Sequence, residues 1–126
     1  MTIPSNRKYS DTHEWYLIEG DVVTMGITQF AADELTDITF VDLPEVGATL
    51  APGDVIGEVE SVKASSEIYC HVGGEVLEVN RELGEHPELI NEDAYEAGWM
   101  AKIKVESPKP LTKLMDAREY REHISE

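Results

Sequence analysis

The chain has 126 residues, 41% of them hydrophobic, and carries twenty-six Asp and Glu against ten Lys and Arg for a formal charge of −16. That length supports one core, and that composition belongs to globular rather than disordered chains. The charge argues against nucleic acid and anionic membrane as partners, because both are polyanions.

Strand patterns begin at Trp15-Tyr16-Leu17-Ile18 and resume at Val22-Val23-Thr24-Met25, around a Gly20 turn. Thr28 has the hydroxyl of a helix cap, and Ile27, Ala31 and Leu35 recur at helical spacing behind it. The run 38–43 returns to strand and stops at Pro44, which cannot donate to a ladder. From Asp54 to Ser61 the alternation puts Val55, Gly57, Val59 and Ser61 on one face and Ile56, Glu58 and Glu60 on the other. Ile68, Cys70 and Val72 then share a face opposite Glu67, Tyr69 and His71. Gly74-Glu75-Val76-Leu77 echoes Gly53-Asp54-Val55-Ile56, as expected for related halves of a small barrel.

A last strand, 99–105, turns Trp99, Ala101, Ile103 and Val105 inward and Lys102 and Lys104 outward. Beyond Pro108 and Pro110, the residues Leu111, Leu114 and Met115 make one helical face. Asp116 caps a second helix with Ala117, Tyr120 and Ile124 on its inner side. The reading is one domain over 1–126, with a β body of about 8–106 and a helical segment of about 110–125. The class is mainly β, a sandwich or barrel of short strands.

Membrane and secretory signals are missing from the pattern. No apolar run approaches the roughly 20 residues of a spanning helix, and the opening MTIPSNRKYS has no apolar signal core. Cys70 is the single cysteine, which suits a reducing compartment. The expectation is cytoplasm, or the mitochondrial matrix for a processed eukaryotic form.

Enzyme signatures are weak. His13-Glu14-Trp15-Tyr16-Leu17 starts like a zinc-protease HExxH, but Leu17 stands where the second histidine belongs. His13, His71, His86 and His123 are scattered, and neither CxxC nor G-x-S-x-G occurs. Cys70 shares its face with Ile68 and Val72, so it reads as a small core residue rather than a nucleophile. No catalytic residue and no metal ligand is assigned.

One basic residue stands out. Lys63 sits in VESVKASSEIY, between two strand patterns and among acidic and small residues. A lysine at a hairpin tip offers its whole amine to a modifying enzyme, while both strands fix its Cα. A group attached there swings on a flexible stem from a fixed root, as a carrier requires.

Glu60-Ser61-Val62-Lys63-Ala64, followed by Ser66 and Tyr69, resembles the lipoyl-lysine motif of the glycine cleavage system H proteins. Further matches run in order along the chain: Lys8-Tyr9, His13-Glu14-Trp15, Gly26-Ile27-Thr28, Asp33-Glu34-Leu35, Phe40-Val41-Asp42-Leu43-Pro44, Gly74-Glu75-Val76, Pro87-Glu88-Leu89-Ile90-Asn91 and Gly98-Trp99. Three positions depart from the family pattern. His71 and Ala94 stand where prolines are usual, and Gly73 where serine is common. Losing a ring that fixes φ is expected to loosen those turns.

The resemblance implies a lipoyl/biotinyl-type barrel-sandwich hybrid, two small sheets with short flanking helices. It implies lipoate in amide linkage on Lys63, and a carrier and co-substrate rather than an enzyme. The carrier would shuttle the aminomethyl group of glycine from a PLP-dependent glycine decarboxylase to a tetrahydrofolate-dependent aminomethyltransferase. Dihydrolipoamide dehydrogenase and a lipoylating enzyme complete the expected partners, with no nucleic acid and no membrane, and the chain is expected as a monomer. Glu14 is expected to contact the loaded arm by pairing with its cationic amine. The alternative is lipoate relay to 2-oxoacid dehydrogenases. A biotin carrier fits less well, since Val62 and Ala64 stand where biotinyl domains favour methionine.

Overall fold

In the computed structural model, which describes residues 2–125, the strand patterns become nine strands: β1 (Lys8–Tyr9), β2 (Glu14–Glu19), β3 (Val22–Ile27), β4 (Ile38–Asp42), β5 (Thr49–Leu50), β6 (Asp54–Ser61), β7 (Ser65–Cys70), β8 (Gly74–Val79) and β9 (Ala101–Lys104). Three short α-helices flank them: α1 (Gln29–Leu35), α2 (Leu89–Glu92) and α3 (Ala117–Ile124). The strands form two antiparallel sheets, one in the order β1-β2-β3-β9-β8-β5 and one in the order β4-β6-β7. The architecture is therefore mainly β, as expected.

Local chemistry sets the turns. Gly20 links β2 to β3 at φ 67°, a conformation open to glycine without steric cost. The Thr28 hydroxyl accepts from the Ala31 N–H at 3.2 Å and starts α1. Asp116 and Glu119 form a reciprocal capping box at the start of α3.

The two sheets bury Tyr16, Val23, Met25 and Ile103 from one side against Val41, Ile56, Val59 and Ile68 from the other. Each such aliphatic side chain contributes about 1.5–3 kcal/mol when fully buried. A second cluster gathers Ile3, Tyr9, Trp15 and Tyr120, and it docks α3 on the larger sheet. Tyr9 and Tyr120 stack there with ring centres 4.9 Å apart. Trp15 is structural: its Nε1 donates to the Ala94 carbonyl at 3.0 Å, and the Arg7 guanidinium lies 4.8 Å from its ring centre.

The structure corrects three face assignments. A bulge between Val55 and Gly57 breaks the alternation of β6, so Ile56 and Val59 both point inward and Val55 is exposed. The stripe of Ile27, Ala31 and Leu35 does pack on the main core, with Ala32 beside it as the fully buried residue of α1. Trp99 is half-buried against the second cluster, with Lys102 Nζ 5.4 Å from its ring centre. Leu111 lies in a 3-10 turn (Lys109–Lys113) and Met115 bridges to Tyr9, so Leu111, Leu114 and Met115 share no helix.

The family departures bring bonds of their own. The His71 N–H donates to Tyr16 Oη at 3.1 Å, and the Ala94 N–H donates to Gln29 Oε1 at 3.3 Å. Proline could make neither bond. A Cβ at Gly73 would meet the Leu50 carbonyl oxygen at 3.2 Å, so a side chain there crowds its neighbours.

Candidate functional site

β6 and β7 are joined by Val62, Lys63 and Ala64, and one serine hydroxyl holds the link together. Ser61 Oγ accepts from the N–H groups of Lys63 at 3.1 Å and Ala64 at 3.0 Å, and donates to the Ala64 carbonyl at 3.0 Å. The Ser61 N–H donates to the same carbonyl at 2.8 Å. The Val62 N–H donates to the Asp37 carbonyl at 3.1 Å, which ties the tip to the segment after α1. Lys63 is exposed on this braced tip, and its Nζ donates to the Glu34 carbonyl at 3.1 Å.

A cleft of about 350 Å³ opens beside Glu34. Ile27, Phe30, Ala31, Leu35 and Ile68 give it apolar walls. A wider depression of about 710 Å³ adjoins it through Thr12, His13 and Ser66, which belong to both. There the walls are acidic, from Asp11, Glu58 and Glu67. One half suits a hydrocarbon or sulfur ring, the other an amine cation. A larger groove, about 1180 Å³, lies among residues such as Leu50, Gly74, Lys104 and Lys113 and shares no lining residue with the Lys63 site.

Glu14 opens β2 and is fully buried. Its Oε1 accepts from the hydroxyls of Ser10 and Thr12 and lies 3.3 Å from His71 Nε2, while Oε2 accepts from the Tyr69 N–H at 3.2 Å. The carboxylate sits behind the cleft wall, and Thr12 connects it to both depressions. His71 carries no sequence signal for this role, because it meets Glu14 through folding alone, and the polar Thr12 two residues before Glu14 reads as an ordinary turn residue.

His13 lines both depressions at φ 72° and meets α3, with Nδ1 at 2.8 Å from Tyr120 Oη. Burial first, and the neighbouring His123 second, hold its pKa below the ordinary value of 6.5. Cys70 is fully buried, and burial pushes its thiol up to about 11, as fits a core residue. The Glu14–Leu17 part of the HExxH look-alike lies on β2, so it has no helical face for a metal.

The family profile described as "Glycine cleavage H-protein" matches residues 7–126. The chain belongs to the glycine cleavage H-protein family. A glycine cleavage system H protein of Staphylococcus saprophyticus is 50% identical over 126 residues, covering 100% of both chains. One of Bacillus mycoides is 50% identical over 122 residues, 97% of this chain and 96% of that one. Among solved structures, a glycine cleavage system H protein from Mycobacterium marinum superposes with a TM-score of 0.90 at 37% identity, over 98% of this chain and 100% of that one. As an H-family chain it has two antiparallel sheets with short helices, and Lys63 occupies the tip of the β6–β7 hairpin.

Proposed function

We propose that this chain is the lipoylated carrier of a glycine cleavage system, with lipoate in amide linkage on Lys63. The observation that carries the reading is the exposed Lys63 on a serine-braced hairpin, beside a cleft with an apolar half and an acidic half. Attached to Lys63, a dithiolane would supply the redox and group-carrying chemistry needed between glycine decarboxylase and aminomethyltransferase.

The chain's own residues do the rest. Ser61 and the Asp37 carbonyl fix the root of the arm, so its reach is set by the stem alone. Phe30, Leu35 and Ile68 give the arm an apolar wall away from water. Asp11, Glu58 and Glu67 place negative charge where the cargo amine would lie. Glu14 contributes from behind through Thr12, whose hydroxyl it orders. Dihydrolipoamide dehydrogenase and a lipoylating enzyme are the remaining partners, docking by charge on a surface of net −16.

Reconstitution tests the reading. Lipoylated protein mixed with glycine decarboxylase and glycine is expected to release CO₂ up to one equivalent per lipoyl group, and to sustain release once tetrahydrofolate-dependent aminomethyltransferase and dihydrolipoamide dehydrogenase with its oxidant are added, with partner KM values that rise with ionic strength. Turnover with a 2-oxoacid dehydrogenase system, and none with glycine decarboxylase, would overturn it in favour of lipoate relay.

A further inference from the structure

His71 follows β7 and reaches the Glu14 cluster from outside. Its Nε2 lies 3.1 Å from Thr12 Oγ1 and 3.3 Å from Glu14 Oε1. The Ser10 and Thr12 hydroxyls each have one proton, and both direct it to Glu14 Oε1. Thr12 therefore has only acceptor capacity left toward the imidazole. Nε2 must carry a hydrogen, shared between Thr12 Oγ1 and Glu14 Oε1.

The ring is held for this contact. The His71 N–H donates to Tyr16 Oη, which in turn donates to the Tyr69 carbonyl at 3.0 Å. The Tyr16 ring meets the imidazole edge-on, with centres 6.1 Å apart. The His71 side chain is 27% exposed and that of Glu14 1%, so His71 is the outer member of the pair. A buried carboxylate needs all its donors, because each missing one leaves charge unsatisfied.

We propose that His71 is a positioning residue for the arm site: its Nε2–H locks the Glu14 carboxylate and, in front of it, the Thr12 hydroxyl that lines the cleft where the cargo amine would lie. The proposal rests on the carrier reading and on the part Glu14 plays in it. His71 touches neither the arm nor the cargo; it acts through Thr12, which lines both depressions.

Two measurements test it. The first needs neither lipoate nor partners: the imidazole ¹⁵N spectrum of the unmodified protein. His71 is expected as the Nε2–H tautomer, and an Nδ1–H tautomer overturns the proposal. The second is the rate at which the lipoylated, loaded protein releases its cargo into water. His71→Phe is expected to speed release about fivefold, the worth of a single hydrogen bond. His71→Gln, which keeps a donor, is expected within about twofold of the parent.

In a Glu14→Gln background, which itself releases faster, His71→Phe adds nothing. If His71→Phe retains cargo like the parent while Glu14→Gln releases it faster, His71 has no such role and Glu14 keeps its own. If His71→Phe and His71→Gln release equally fast, the ring matters by packing alone and the proposal falls. If Glu14→Gln also retains cargo like the parent, the role of Glu14 fails and takes this one with it.

Discussion

Lys63 Nζ donates to the backbone carbonyl of Glu34 at 3.1 Å, so the proposed attachment point rests on the C-terminal end of α1, at the mouth of the cleft. Carbonyls at a helix C-terminus carry partial negative charge and favour a cation. Amide formation at Nζ removes that cation and loosens the contact. An unmodified Lys63 is thus parked where an acylated one would enter.

The hairpin brace is the first prediction. Ser61→Ala removes an acceptor for two N–H groups at once. The site is partly exposed, so water replaces much of the loss and the expected destabilisation is about 1 kcal/mol. The larger effect is local: amide exchange at Lys63 and Ala64 should accelerate, and lipoylation should slow about threefold as the tip frays. Unchanged amide exchange would show that the backbone holds the tip unaided.

Gly57 gives a second prediction. It ends the β6 bulge, and a Cβ there would lie 2.0 Å from the Asp42 carbonyl oxygen. That oxygen belongs to the neighbouring strand and has little room to shift. Gly57→Ala is expected to cost about 3 kcal/mol in urea denaturation. A change within about 0.5 kcal/mol would mean that β4 and β6 separate easily.

These two positions also show what the sequence makes legible. Ser61 is legible as the end of an alternating strand, which local periodicity decides, while its bracing bonds to the Lys63 and Ala64 N–H groups are not. Strand positions, the Thr28 and Asp116 caps and the inward face of Ile68, Cys70 and Val72 were readable for the same reason: local periodicity and cap chemistry decide them. The bulge was not readable, since it depends on how β6 pairs with two neighbours at once. Nor was the burial of Glu14. An acidic residue at the start of a strand reads as surface; the turn before β2 brings Ser10 and Thr12 to it, and the Tyr69 donor arrives only when β7 packs beside β2. His71 stood out as a departure from a family pattern, yet nothing local connects it to a carboxylate 57 residues earlier.

The third prediction concerns pH. His13 has its folded-state pKa below 6.5, by burial first and by His123 second, with Asp11 and Glu34 pulling the other way. As pH falls through 6.5 the unfolded chain takes up a proton that the folded chain refuses. Stability is fully present above that value and declines down to the lower folded pKa. The melting temperature is expected to hold between pH about 8 and about 7 and to drop toward about 5.5. His13→Asn tolerates the positive φ and does not titrate, so its profile should be flatter in that window. Equal slopes for the two proteins would place the acid sensitivity elsewhere.

The most direct test of the central claim is intact mass after co-expression with a lipoylating enzyme and lipoate, for the parent and for Lys63→Arg. Arginine keeps a donor for the Glu34 carbonyl but no acylable amine. The account predicts a single lipoyl increment on the parent and none on the folded variant. An increment that persists in Lys63→Arg, or a folded parent that takes up none, would contradict it.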